Sequence, residues 1–374
     1  MSGVVLYTPG HSLYTDTLMV YGLAYALKDA PGLKVKGLGT HYIVEVDAGL
    51  GDVIQLVQDA FEPDISQRSY LGRLLAEKDY LNAYQYVRDS AKFKEYLKKL
   101  MKPGHVFEEG KLTRKGGVFK LPLIPMAGKY LHVDLTEKTK YDTKQYVACQ
   151  GCIALAILGL TKGAIILPFA REKLVVLFAF EGRVDSEYFN NYYEFFESEY
   201  RKYESEAESA EEESERSLLR ELGLSIDSMP SRTLVYTMVS LMSRELIVGM
   251  DSAEARWRAL VVRFNTARAV QVRGYQDIEL DSLIATLAEI IKISEAKGTG
   301  IWDRLREVTL SLLRRARVKS PIAHHAVDSL DALFEFLIGR NLENLYDFAR
   351  SGYKAFDKKF YASGICEALF SLAC

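Results

Sequence analysis

Residues 149–180 read CQGCIALAILGLTKGAIILPFAREKLVVLFAF. The stretch Tyr146–Leu160 is apolar on every side of a helical wheel, which predicts an internal helix. After Thr161-Lys162-Gly163 the pattern changes. Ala164–Phe169 and Leu174–Phe180 are strand-like runs, and Ala170-Arg171-Glu172-Lys173 between them predicts a hairpin. A buried helix feeding two strands calls for a mixed α+β domain.

The same logic extends toward the N-terminus. Val4–Thr8 is extended, Pro9-Gly10 turns, and Ser12–Leu27 is an apolar-rich helix. Leu33–Leu38 and Thr40–Asp47 alternate as a hairpin, with Tyr42, Val44 and Val46 on one face. Helical pattern follows over Asp52–Phe61 and Ser66–Met101, until Lys102-Pro103-Gly104 breaks it. Glu108–Lys129 is rich in Gly and Pro and reads as a loop or hairpin, with a short strand at Leu131–Leu135.

Toward the C-terminus, Ser186–Leu222 predicts a long polar helix and Gly223–Pro230 a linker. Everything beyond has helical pattern: Ser231–Val248, Ser252–Val272, Asp277–Lys297, Ile301–Arg317, Pro321–Ile338, Leu342–Ala349 and a last helix near the end. Ser320-Pro321 supplies an N-cap oxygen and a first-turn proline. The expected fold class is α+β: an N-terminal mixed α+β domain over residues 1–228, followed by a C-terminal all-α helical bundle over residues 229–374.

The chain has 374 residues, 48% hydrophobic and 26% charged, enough for a substantial core without covalent staples. Four cysteines exclude a disulfide scaffold. No secretory leader is visible, and the apolar run Cys152–Leu160 falls well short of the ~20 residues that span a bilayer. A cytoplasmic protein with no membrane partner is expected. Asn and Gln are scarce beside Glu, Lys, Arg and Tyr, a balance that leans toward a thermophilic source.

The net charge of −2 conceals strong segregation. Residues 186–229 carry −9, whereas residues 1–185 carry +4 and residues 230–374 carry +3. Basic groups gather in three places: Arg88–Lys144, with 14 basic and 7 acidic residues; Arg256–Arg273, with five arginines and no acid; and Arg304–Lys319, with six basic residues against Glu307. Such clusters suit a polyphosphate backbone, although a solvated charged face explains them equally simply. The charge count alone nominates Lys111, Arg114, Lys115, Lys120, Lys129, Arg256, Arg263, Arg268, Arg314 and Arg315 as nucleic-acid contacts. On a helix from Ser252, Arg256 and Arg263 would flank an apolar stripe of Trp257, Leu260, Val261, Phe264 and Ala267. Arg268 would fall inside that stripe, so either the helix ends sooner or Arg268 meets an acid or a partner, an internal ion pair first.

Other constellations are weaker. Cys149 and Cys152 have C-x-x-C spacing, which fits buried structural cysteines first, half a metal site second and a redox pair third. His324 and Asp328 share a helical face beside His325, with Asp331 as the one further candidate ligand. Thr8, His11, Ser12 and Thr15 could build an anion site at a helix N-terminus near Asp16, but capping by Ser12 is the simpler reading. No phosphate-binding, dinucleotide-binding or nucleophile-elbow motif occurs.

Two stretches carry a resemblance: Tyr7-Thr8-Pro9-Gly10-His11-Ser12-Leu13-Tyr14-Thr15-Asp16, continuing to Leu27, and Cys149-Gln150-Gly151-Cys152-Ile153-Ala154-Leu155-Ala156 with Gly159, Gly163 and Ile165–Phe169. With the chain length and helical C-terminal half, they resemble the large subunit of archaeal type I-A CRISPR interference (Cascade-like) complexes. The resemblance implies a non-catalytic, cofactor-free subunit of an antiviral surveillance complex. Its partners would be CRISPR RNA, double-stranded target DNA with its displaced strand, the other Cascade-type subunits and a helicase–nuclease. Guide pairing would read the target while the protein reads a short flanking motif and the phosphate backbone. Two other classes remain open: an enzyme, either a metal-dependent nuclease on His324, His325 and Asp328 or a thiol protein on Cys149 and Cys152, and a helical scaffold that binds only protein.

Overall fold

The computed structural model describes residues 3–62, 71, 74–104, 117–118, 147–169, 172–208, 217–266, 270–317, 321–356 and 362–370. The chain opens with β1 (Val4–Tyr7), α1 (Leu13–Leu27), β2 (Lys34–Gly37), β3 (Tyr42–Val46) and α2 (Leu50–Ala60). Two amphipathic helices follow, α3 (Glu77–Arg88) and α4 (Ser90–Leu100). The pair β4 (Gly117–Val118) and β5 (Val147–Ala148) leads into α5 (Gln150–Lys162), β6 (Ile165–Phe169) and β7 (Glu172–Asp185). The rest of the first half is α6 (Ser186–Glu208) and α7 (Leu218–Leu224).

The seven-stranded sheet centres on β7. Its order is β1-β3-β2-β7, continuing to β8 (Glu254–Asn265) and β9 (Gln271–Glu279), with β6 also beside β7. The pairs β1/β3, β3/β2, β2/β7 and β7/β8 are antiparallel. Leu174–Phe180 of β7 is buried on both faces, whereas Glu181–Asp185 alternates as a half-open strand does. Gly37 and Gly182 sit opposite one another where β2 meets β7. A Cβ on Gly37 would lie 2.0 Å from the Phe180 carbonyl oxygen, and one on Gly182 (φ 120°) 2.0 Å from that of Glu254.

Helices α1 and α5 are apolar all round and buried on nearly every side, as expected of internal helices. Tyr21 of α1 gathers the rings of Phe189, Tyr192 and Tyr193 from the first turns of α6. The phenols are satisfied within this cluster: Tyr21 and Tyr188 share a hydroxyl bond of 2.9 Å, Tyr192 donates to the Gly163 carbonyl, and Tyr193 donates to that of Tyr21. Buried tyrosines need such partners.

The C-terminal part is helical: α8 (Ser231–Ser240), α9 (Arg244–Ser252), α10 (Asp281–Lys297), α11 (Ile301–Arg315), α12 (Ala323–Gly339), α13 (Leu342–Ala355) and α14 (Ala362–Phe370). Thr286 of α10 donates to the Leu337 carbonyl, and Ser329 of α12 donates to that of Phe348. The fold is thus α+β with a helical C-terminal part.

Several local expectations need correction. The helical pattern over Ser66–Met101 holds, among its described residues, two helices, α3 and α4, parted at Asp89, and the helix expected from Tyr146 begins at Gln150, after β5. The helix expected over Ser252–Val272 is strand β8 followed by the start of β9, a hairpin that joins the sheet. The helix expected over Ser231–Val248 is two, because the Ser243 hydroxyl accepts the Leu246 N–H and starts α9 anew. The polar helix from Ser186 ends at Glu208 among the described residues, and α7 begins separately with Ser217 as its N-cap. Helix α12 starts at Ala323, capped at Ile322, so Pro321 precedes it and does not occupy its first position. The expected strand at 131–135 lies outside the described residues, as does almost all of the Gly-rich loop.

Contacts gather the chain into two compact units. One holds Met1–Ile166, Ala170–Tyr193 and Ala253–Asp277, and the other holds Leu167–Phe169, Glu194–Ser252 and Ile278–Cys374. This grouping differs from a single cut after residue 228, because the β8–β9 hairpin belongs with the sheet.

Candidate nucleic-acid interface

Of the ten nominated basic residues, Lys111, Arg114, Lys115, Lys120, Lys129 and Arg268 lie outside the described residues. The other four are well placed. Arg263 pairs with Glu172, its near neighbour across the β7–β8 ladder. Arg314 lies 3.8 Å from the buried Glu221 carboxylate, which Arg317 grips with both Nη2 and Nε. The Arg315 guanidinium sits 5.2 Å from the Phe356 ring centroid, within cation–π range. Arg256 is exposed on β8, opposite Glu181 in register.

The strand also separates what the helical wheel brought together. Arg256 and Arg263 are seven residues apart, so on β8 they point to opposite faces, ~23 Å apart along the strand. Trp257, Leu260, Val261 and Phe264 are all buried because β8 is covered on both faces there. The cost argued for Arg268 inside a helical stripe lapses with the helix.

The open face of the sheet carries Lys34, Lys36, Arg183 and Arg256, all exposed. Register places Glu45, Asp185, Glu181 and Glu254 among them. Among these eight residues the charges balance, four cations against four anions, and Arg258 beside them pairs with Asp277.

A denser basic surface lies on α4, inside the Arg88–Lys144 cluster, although the residues nominated from that cluster all lie beyond the helix. Phe93, Tyr96, Leu97 and Leu100 bury one side of this helix. Lys92, Lys94, Lys98 and Lys99 are exposed on the other, with Arg88 one turn before and Lys102 just after. Asp89 caps the helix through the Lys92 N–H, and the Lys92 ammonium beside it holds its carboxyl below the usual range. Lys98 does the same to Glu95. Lys94, Lys99 and Lys102 have no ion-pair partner among the described residues. An amphipathic wheel over Ser90–Met101 would have found this face.

The remaining constellations fold inward. Ser12 caps α1 by accepting the Thr15 N–H at 3.1 Å. The Asp16 carboxylate accepts the N–H groups of Gly10 (2.8 Å) and Ser12 (3.1 Å), and it is fully buried. Burial pushes its pKa up to about 6 against these bonds. The anion position at this helix N-terminus is therefore occupied by the chain's own carboxylate.

His324 is exposed beside the half-exposed His325, their ring centroids 3.9 Å apart. Partial desolvation and the neighbouring His324 and Lys354 lower the pKa of His325, while Asp328 opposes them. Asp331 accepts a hydrogen bond from Thr233 instead of joining the histidines. Among the described residues, no group of three or more His, Cys, Asp or Glu is arranged to hold a metal ion. No helix among them is long and apolar enough to cross a membrane.

Cys149 and Cys152 open α5 without a disulfide between them, Cys149 half-buried and Cys152 fully buried. Their sulfurs are 3.3 Å apart, and the Tyr96 hydroxyl donates to Cys152 Sγ at 3.4 Å.

The sequence matches the family model described as CRISPR-associated protein (Cas_Csa4) over residues 4–369. No curated protein matches the chain.

Proposed function

We propose that this chain, which belongs to the CRISPR-associated Cas_Csa4 family, is a non-catalytic nucleic-acid-binding subunit of an RNA-guided surveillance complex. Membership places it in CRISPR defence; the subunit role goes further. In this reading it is the large subunit of a type I-A, Cascade-like assembly. It contacts target DNA beside the flanking motif, works with CRISPR RNA and the other subunits, and helps to recruit a helicase–nuclease.

The observation that carries the reading is the exposed cationic face of α4, where Lys94, Lys99 and Lys102 are uncommitted to ion pairs among the described residues. An apolar inner side fixes the helix while ammonium groups remain free to displace counterions from a phosphate backbone. Surface pairs such as Lys92–Asp89 and Lys98–Glu95 are screened by solvent and exchange readily for phosphate. The Lys111–Lys115 segment follows α4 closely in sequence and would extend the same basic tract. The acidic segment Glu187–Glu221 suits solvent or a basic protein better than nucleic acid.

The test is duplex binding by the reconstituted complex with the flanking motif intact or scrambled. The reading expects tighter binding to the intact flank; equal affinity removes the flank-reading role. Nuclease activity that survives removal of the helicase–nuclease and is lost in His324→Ala would replace the non-catalytic reading with the enzyme.

A further inference from the structure

The start of α5 brings together a thiol pair that capping alone does not explain. Cys149 is the N-cap residue, and its sulfur accepts the Cys152 N–H at 3.4 Å. Sulfur is a weak acceptor, and helices favour Ser, Thr, Asp or Asn at this position. The Cys149 thiol in turn donates to Cys152 Sγ at 3.3 Å. A disulfide bond is ~2.05 Å long, so little over 1 Å separates the two thiols from closure.

The surroundings treat the two cysteines differently. Cys149 is half-buried and accessible, whereas Cys152 is fully buried under Tyr96. Tyr96 reaches the motif twice. Its hydroxyl donates to Cys152 Sγ at 3.4 Å, and its ring lies so close to Gly151 that a Cβ there would be 2.3 Å from it. The glycine in the middle of the motif is thus required by the ring that covers the second sulfur. Cys149 meanwhile sits at the N-terminus of a 13-residue helix, where the dipole favours a thiolate.

We propose that Cys149 and Cys152 form a reversible dithiol–disulfide site, with Cys149 as the attacking thiol and Cys152 as the resolving thiol. The oxidant is a low-molecular-weight disulfide. The Cys149 thiolate attacks one sulfur of that disulfide, forming a mixed disulfide and expelling one thiolate, which takes up the proton Cys149 has lost. Cys152 then loses its proton and attacks Cys149 Sγ, expelling the second small thiol. The protein loses two protons and two electrons, and the small disulfide takes them up to become two thiols. Exchange of this kind proceeds at the more accessible thiolate first.

The experiment uses the full chain carrying Cys366→Ser and Cys374→Ser, incubated with oxidised glutathione and analysed by intact mass and peptide mapping. The expected product has lost two hydrogens and both titratable thiols, with the Cys149 and Cys152 peptides linked; dithiothreitol reverses it. Cys152→Ser and Cys152→Ala should both stop at a mixed disulfide on Cys149. Cys149→Ser keeps a good cap and should leave Cys152 unmodified. Three outcomes would overturn the proposal: two thiols unchanged after incubation, modification of Cys152 when Cys149 is Ser, or zinc in the purified protein that blocks both thiols.

Discussion

Gly22 and Gly159 meet where α1 crosses α5, with no side chain between the two backbones. A Cβ on Gly159 would fall 1.7 Å from the Leu18 carbonyl oxygen, and one on Gly22 would fall 2.8 Å from the Gly159 nitrogen. Any side chain here drives two buried helices apart. Gly159→Ala should therefore destabilise the protein by ~3 kcal/mol or more, the upper end of overpacking costs. Gly249 of α9 has nothing within 4 Å of an added Cβ. The same substitution there should stabilise by ~0.4–1 kcal/mol by restricting the unfolded chain. Denaturant unfolding of the two variants checks the opposite signs; equal effects would mean that the helix crossing is looser than described.

That crossing shows which parts of the fold the sequence disclosed. Helix α5 was legible because a local pattern apolar on all sides has one physical solution, and α1 because an apolar-rich run follows the Pro9-Gly10 turn and Ser12. The β2–β3 hairpin was legible because Tyr42, Val44 and Val46 share one face, alternating with Ile43, Glu45 and Asp47 on the other. Strand β8 was not. Trp257, Leu260, Val261 and Phe264 satisfy a 3.6-residue period by coincidence, because a strand covered on both faces buries odd and even positions alike. What decides it is pairing with β7, which places Trp257 opposite Phe180 and Val262 opposite Val175, partners some eighty residues earlier. The candidate site was less legible than the fold for a related reason. Counting charge found Arg263, Arg314 and Arg315, but a count cannot tell a committed cation from a free one. Glu172 pairs with Arg263, Glu221 lies beside Arg314, and the Phe356 ring lies within cation–π range of the exposed Arg315.

The buried Asp16 gives the protein a pH dependence of unusual sign for a carboxylate. Its folded pKa is about 6 and its reference value 3.8. Between those values the native state holds a proton that the unfolded chain has lost. Stability from this group is therefore full below pH 4, declines as pH rises, and is lost above pH 6, by about 3 kcal/mol across the window. Asp16→Asn removes the titration and should flatten the profile between pH 4 and 6. Chemical denaturation of both proteins at half-unit pH steps measures this; parallel profiles would mean that Asp16 is not the titrating group.

Glu221 has no exposed surface, and Arg317 grips its carboxylate at 2.7 Å from both oxygens. Its removal leaves two guanidinium groups without their counter-charge in a partly desolvated site. Glu221→Ala should cost ~3–5 kcal/mol, the penalty for breaking a buried ion pair from one side. Arg314→Ala should lower the unfolding midpoint too, although less. Any loss of DNA binding in Arg314→Ala must therefore be compared with its folded fraction. Arg256→Ala, on the open sheet face, should change stability by no more than about 0.5 kcal/mol. A midpoint for Arg256→Ala as low as that for Glu221→Ala would contradict this division.

The α4 surface makes the most direct claim on function. Lys94, Lys99 and Lys102 are exposed and contribute nothing visible to the core. Replacing all three with Ala should leave the unfolding midpoint within the range of ordinary surface changes, about 0.5 kcal/mol per site. If each contacts a phosphate in the assembled complex, the slope of log affinity against log salt should fall by ~0.9 per lysine, up to ~3 for the triple variant on duplex DNA. Because phosphate contacts carry no sequence information, the loss should be equal for intact and scrambled flanks. The Lys111, Arg114 and Lys115 triple variant, measured in parallel, reports on the adjoining loop. A reduced slope in the loop variant with an unchanged slope in the α4 variant would move the phosphate contacts off the helix and onto the loop. Unchanged slopes in both would remove this basic tract from the interface altogether.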